Sequence, residues 1–278
     1  MSKTQRAIAH LKSCEWAREL IRRIELGGAR DEGLLFEARF AFELSLACPG
    51  SEIVYEYAAG VGDTTIDFHL MHRERSWLIE LVALQESQAV ANMISRSRVS
   101  MQGVGCESIH LGDSADNRHE TLLAELVHVG EKIGDKVWNK QAGRPHKFPE
   151  VSGQNAHVLF VNLNGFQGTG APDSADCYEL MFGSVAVAPD YRSDPRDPVE
   201  GLFDPSNQRP AARAAQARLH AVAFVAERPY VDDDEEIRRT AYFVGNPALE
   251  GRTLIQAFPV VAPRERRDPL HRSELSDG

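Results

Sequence analysis

The chain has 278 residues, of which 42% are hydrophobic and 26% charged, and a formal net charge of −10. That size and balance suit a soluble globular protein able to bury a sizeable core in one or two domains. The acidity argues against a general nucleic-acid coating protein, which would be basic, but it leaves room for a locally basic groove.

Residues 4–26 are predicted to form one amphipathic helix, with Ala7, Leu11, Trp16, Leu20, Ile21 and Ile24 among its apolar positions and Gly27-Gly28 at its end. A second helix is expected over 31–47, stopped by Pro49-Gly50. Strands follow at 52–58, 64–71 and 77–84, with a turn at 60–63 and the charged turn His72-Arg73-Glu74-Arg75 between the last two. Helical spacing returns over 86–101 until Gly103 and Gly105 break it. A longer helix is expected over 118–141, with Leu122, Leu126, Val129, Ile133 and Val137 on one stripe. Then come a strand at 157–163, an irregular stretch over 164–210 with a strand or helix near 177–188, a short helix at 210–217, and strands at 219–227 and 241–246. Asp232 to Glu236 read as a solvated acidic loop, and the charged tail 263–278 as mobile. This order predicts an α/β fold, a mixed central sheet flanked by helices, in one elaborated domain over 1–262.

Four scattered cysteines, Cys14, Cys48, Cys106 and Cys177, form no C-x-x-C pair, so they read as small buried hydrophobes rather than as a zinc knuckle. The first twenty residues carry Arg6, Lys12, Glu15 and Glu19 and no apolar run of the signal-peptide kind. The longest apolar runs, such as 219–226, fall short of the ~20 residues that span a bilayer. A cytoplasmic chain with no membrane partner is the expectation. Common catalytic motifs fail on single positions. Four residues after His119 stands Leu123, which rules out a zinc-protease helix, and there is neither a Walker loop nor a Gly-x-Ser-x-Gly elbow.

Chemistry concentrates between Gly62 and Leu84. In the strand 77–84 both alternating faces are apolar, so it should be central, and an ionised Glu80 within it needs a partner or a cation. Asp67 sits on the polar face of the preceding strand and taken alone is an ordinary surface acid; it gains interest by standing one hairpin away from Glu80. On the second helix, Leu34, Phe40, Ala41 and Leu44 fall within about 60° of Glu37, which places a third acid in the middle of an apolar stripe. Three such acids make a hard oxygen cage suited to Mg²⁺ or Mn²⁺. A cation there would polarise a phosphoryl oxygen and lower the pKa of a bound water.

With these residues the chain resembles the PD-(D/E)XK nuclease superfamily, whose pattern is a helix with an acid, a strand with an Asp, a turn, and a strand with Glu-x-Lys. Glu37 matches the helical acid, Asp67 the Asp and Glu80 the Glu, over a core of about 31–165 followed by a C-terminal elaboration of about 166–262. The resemblance implies a restriction-endonuclease-like fold, a magnesium or manganese site on Glu37, Asp67 and Glu80, and hydrolysis of DNA, with RNA left open. Many enzymes of this kind act as dimers, though no residue pattern here marks a dimer face.

The motif lysine is missing, since Val82 occupies its position. Members of the superfamily relocate this lysine or replace it. Lys136, about 20° from Val129 at the edge of the long helix's stripe, is the best replacement by spacing; Lys132 lies further out, and each alone reads as a solvated lysine. Gln85 could orient a water but not serve as a base. Basic residues cluster as Lys132, Lys136, Lys140, Arg144 and Lys147, as Arg209, Arg213 and Arg218, and as Arg73, Arg75, Arg96 and Arg98; together they could line a phosphate groove. Val82 and the net acidity favour a rival reading, a catalytically degenerate nuclease fold that binds DNA or a protein. A third reading is an α/β protein with a small-ligand cleft.

Overall fold

The hairpin at the centre of the fold is closed by two residues that are unusual for the purpose. His72 pairs with Arg75, and the two turn residues Arg73 and Glu74 take φ of 49° and 65°. Positive φ at both central positions gives the twist that joins antiparallel strands, although Asn-Gly fills such turns at lower cost. In the computed structural model, which describes residues 2–28, 31–59, 61–85, 115–165, 173–186, 199–227 and 239–259, this turn links β2 (Thr65–His72) to β3 (Arg75–Gln85). β1 (Glu52–Ala58) pairs antiparallel with β2 and completes a meander.

A mixed six-stranded sheet is built on that meander. β6 (Asn155–Gly165) lies parallel to β3, β7 (Ala221–Glu227) parallel to β6, and β8 (Arg239–Gly245) antiparallel to β7, in the order β1-β2-β3-β6-β7-β8. β3 and β6 are interior strands, and both are apolar on both faces, as an interior position requires. One face is covered by α1 (Lys3–Leu11), α2 (Arg18–Glu25), α3 (Glu32–Ala47) and α7 (Gly251–Ala257), through a core that includes Phe36, Phe40, Phe68, Trp77 and Phe160. The other face is covered by α4 (Ala115–Val137), α5 (Ser174–Phe182) and α6 (Pro210–Arg218), with Val129, Ile133, Phe148, Leu159 and Phe203 between. The molecule is thus α/β with a mixed sheet and helices on both sides.

Most predicted elements recur within a few residues of their expected ends, and four differ for physical reasons. The helix expected over 4–26 is broken into α1 and α2 at Lys12–Cys14, where the Ser13 hydroxyl and Cys14 thiol both donate to the His10 carbonyl and compete with the helical ladder. The long helix stops at Val137 rather than 141. Asn139 Oδ1 accepts from the backbone of Gln141 and Ala142, Gly143 takes φ of 59°, and the chain folds back as a short ribbon of β4 (Trp138–Asn139) and β5 (Arg144–Pro145). The uncertain stretch near 177–188 is helix α5, capped by Asp173, and then a single 3₁₀ turn at Ser184–Ala186. α7 was not predicted; its seven residues carry too short a pattern to stand out. The expected helix at 86–101, the acidic run 232–236 and the tail 263–278 lie outside the described residues. Among the described residues no helix is long and apolar enough to cross a membrane.

Candidate active site

β2 and β3 pair regularly from the turn as far as Phe68 opposite Ile79. One step further stand Asp67 and Glu80, and there side chains replace the ladder. The Leu81 N–H donates to Asp67 Oδ2 at 2.6 Å, and the Asp67 N–H donates to Glu80 Oε2 at 3.3 Å. Each acid therefore holds the opposing strand's backbone. Glu80 is fully buried and Asp67 is 8% exposed. The neighbouring strand is irregular at the same level: Glu56, between the pairs Tyr55–Phe68 and Tyr57–Ile66, has φ of 54°. A left-handed Glu inside a strand is strained backbone, and here it lies beside the buried acids.

Two lysines converge on Glu80. Lys136 Nζ, from the last turn of α4, donates to Glu80 Oε1 at 2.7 Å. Lys147 Nζ lies 3.1 Å from the same oxygen and donates to the Thr65 carbonyl at 2.8 Å. Lys136 gets there because α4 packs its Val129–Ile133–Val137 stripe onto the β3 face that carries Leu78 and Glu80, and Lys136 sits at the stripe's edge. Lys147 gets there because the β4–β5 ribbon returns the chain toward β2, with Lys147 itself in a left-handed conformation at φ 60°. Lys132 is exposed, an ordinary solvated lysine. Val82, on the same face as Glu80, packs half-buried into the α4-side core.

Glu37 lies at the edge of this constellation. Its Oε2 accepts a 2.6 Å hydrogen bond from the Tyr55 hydroxyl, which in turn accepts from Arg23 Nη1 at 2.6 Å. Arg23 also pairs with Glu56, and Glu56 accepts from the Thr65 hydroxyl. Glu37 thus feels Glu80 through space while its carboxylate is engaged with Tyr55.

The electrostatics describe a site rich in negative charge. Asp67 is pushed well above the usual carboxylate range, first by burial and then by the charges of Glu80 and Glu37; Lys136 and the Leu81 N–H oppose this. Glu37 is also raised, by burial above all, with Tyr55 and Arg23 pulling the other way. Burial works to lower Lys136, but Glu80, Asp67 and Glu37 outweigh it and the net shift is upward. Lys136 is therefore a fixed cation at neutral pH rather than a base. Asp67 Oδ1 carries no hydrogen bond among the described residues. No three His, Cys, Asp or Glu side chains among the described residues stand close enough to hold a metal ion by themselves.

Of the sequence-predicted site residues, the structure brings Asp67, Glu80 and Lys136 together and sets Glu37 within electrostatic reach. The sequence reading missed Lys147 as a contact of Glu80, and it missed the Arg23–Tyr55 pair that engages Glu37. Lys147 stood in the basic cluster, but nothing local distinguished it from its neighbours. No protein-family model matches the chain, and neither the curated proteins nor the solved structures contain a match.

Proposed function

We propose that this chain hydrolyses phosphodiester bonds of DNA with Mg²⁺ or Mn²⁺, as a PD-(D/E)XK-like nuclease with a restriction-endonuclease-like core, in which Lys136 stands in for the lysine that Val82 replaces. The observation that carries this reading is the Asp67–Glu80 pair, buried side by side at the point where the β2–β3 ladder opens, with Lys136 on Glu80. The element order α3, β1, β2, β3, α4, β6 supports it, since an acid-bearing helix precedes a meander that carries Asp and then Glu.

A hard cation suits the donors. Both acids offer oxygen ligands, the raised Asp67 marks a surplus of negative charge, and Asp67 Oδ1 is open. Magnesium is commonly held by one or two carboxylates, with water and substrate phosphate completing the shell, so a third protein ligand is not required. When bound, the ion would polarise a phosphoryl oxygen and lower the pKa of a water. Asp67 and Glu80 would hold it, and Glu37 would add negative charge from behind Tyr55. The Leu81 and Asp67 N–H groups fix the orientation of the two carboxylates. Lys136 keeps its proton on Nζ and presents a positive charge where a phosphoryl group gathers negative charge.

The test is cleavage of plasmid and single-stranded DNA by the purified chain with Mn²⁺ or Mg²⁺, beside the double variant Asp67→Ala, Glu80→Ala. Metal-dependent cutting that disappears in the variant is the expected result. A second reading, a degenerate nuclease fold that binds DNA or protein, draws on Val82 and on the two lysines that already neutralise Glu80. Absence of cutting, together with absence of metal binding by calorimetry, would select it.

A further inference from the structure

The segment that delivers Lys147 to Glu80 also forms one wall of a cleft. The cleft has a volume of about 340 Å³ and is lined by Val61 and Gly62 from the β1–β2 turn, by Arg144, Pro149 and Glu150, and by Arg218 at the end of α6. Two arginines thus line one space, and one of them, Arg144, stands three positions before Lys147 in the chain. We infer that this cleft is an oxyanion site that holds a phosphate of a nucleic-acid chain lying across the acid pair; the inference rests on the nuclease reading for the identity of the polymer.

Several arginines elsewhere are closely paired with acids. Arg22 is paired with Glu19 at 2.6 Å, Arg23 with Glu56 at 2.5 Å and Arg209 with Glu200 at 3.1 Å. Arg144 is exposed and has no acidic partner among the described residues. Arg218 forms a long ion pair, 3.7 Å, with Glu150, whose side chain is 92% exposed. Arg218 itself is largely buried and pre-positioned, since its Nη1 donates to the Phe148 carbonyl at 3.0 Å. Gly62 has φ of +58°, and a Cβ there would stand 3.4 Å from Arg144 Nη2, so the turn backbone lies close against the guanidinium. Neighbouring His146 senses the local field. Its pKa is lowered by burial and then by the positive charges of Lys147, Lys136 and Arg144, against the opposing pull of Glu80. On a chain of net charge −10, a cleft lined by two arginines and one acid is locally positive. Planar guanidinium groups match phosphate oxygens in bidentate geometry and stay charged at every physiological pH.

The test is fluorescence anisotropy of a short fluorescein-labelled single-stranded DNA titrated with the full chain in EDTA, where no cleavage can intervene. Arg144→Glu is expected to weaken binding about tenfold and to reduce the slope of log K against log salt by about one. Arg18→Glu, the same charge change on an exposed α2 residue, is expected to bind as the wild type does. Equal losses in the two variants, an unchanged Arg144→Glu, or no binding by the wild type would overturn the site. Inorganic pyrophosphate that bound in an Arg144-dependent manner, with no binding of DNA, would overturn its assignment to a polymer. Arg144-dependent DNA binding upholds the cleft even if the chain fails to cut with Mn²⁺, so the two readings fail separately.

Discussion

Two buried polar centres lie on the interior strands of the sheet, and they solve the burial problem in opposite ways. At β2–β3, Asp67 and Glu80 are answered by charge, with two lysines and two backbone N–H groups around them. At the N-terminal ends of β6 and β7, His157 and His220 are answered by the backbone. His157 Nδ1 lies 2.7 Å from the Arg218 carbonyl, and the His157 N–H donates to His220 Nδ1 at 3.0 Å. Burial above all holds each of these histidines down to about 4, so the pair is neutral at pH 7, and His157 Nε2 is left without a hydrogen-bond partner among the described residues. The acid centre keeps its charge surplus, which packing alone does not require. That contrast is why function is assigned to the first centre and stability to the second.

The largest effect of a single substitution on stability is expected from removing a charge partner. Lys136→Ala leaves buried Glu80 with Lys147 alone and should cost about 3 kcal/mol, the low end for a broken buried pair. A shift of the urea midpoint measures it, and a domain with stability in the usual range of about 5–15 kcal/mol would remain folded. A loss under about 0.5 kcal/mol would place the pair with surface salt bridges and weaken the comparison.

Acid should act on the two centres with opposite signs. The histidines titrate near 4 when folded, against an ordinary value of 6.5, so the unfolded chain takes up protons first. Their contribution is complete above about pH 6.5 and is lost as the pH falls to about 4. The raised Asp67 behaves in reverse: the folded state takes its proton first, so its cost is full only above the folded value and is relieved as the pH falls through it. In urea midpoints followed from pH 7 to 4 the histidines should contribute a fall on the order of 2 kcal/mol each, set against the opposite change at Asp67. The fall should be shallower in His157→Gln.

A smaller effect sharpens the same point. In the metal-free chain Asp67→Asn should raise stability at neutral pH by about 1 kcal/mol, the pattern of a residue kept for function at the expense of stability. It should also steepen the acid-induced fall. Destabilisation at neutral pH would instead make Asp67 a structural acid. The smallest effect lies at the far end of the same hairpin, where Glu74→Gly should relieve a left-handed residue and add about 0.5 kcal/mol. Thermal midpoints are sufficient to check it.

The parts of this arrangement that local pattern governs were legible in the sequence. Apolar residues on both faces of 77–84 marked an interior strand and made Glu80 conspicuous, and helical spacing put Glu37 on the packed face of α3 and Lys136 at the edge of α4. Features that depend on distant chain segments were not. Lys147 reaches Glu80 only because the chain doubles back after Val137, and Tyr55 engages Glu37 only because β1 lies beneath α3. The left-handed Glu56 gave no sign at all, since a Glu in a run of alternating residues reads as regular strand.

On the nuclease reading proposed above, Lys136 does from the helix what a lysine at position 82 would do from the strand. The most direct measurement is the rate of Mn²⁺-dependent DNA cleavage by wild type, Lys136→Ala, and the double variant Val82→Lys, Lys136→Ala. The account predicts a loss of about 10²–10³-fold in the single variant, the usual cost of removing one stabilising charge or donor, and recovery of a large part of it in the double variant. A Lys136→Ala protein that cuts DNA as fast as wild type would contradict it.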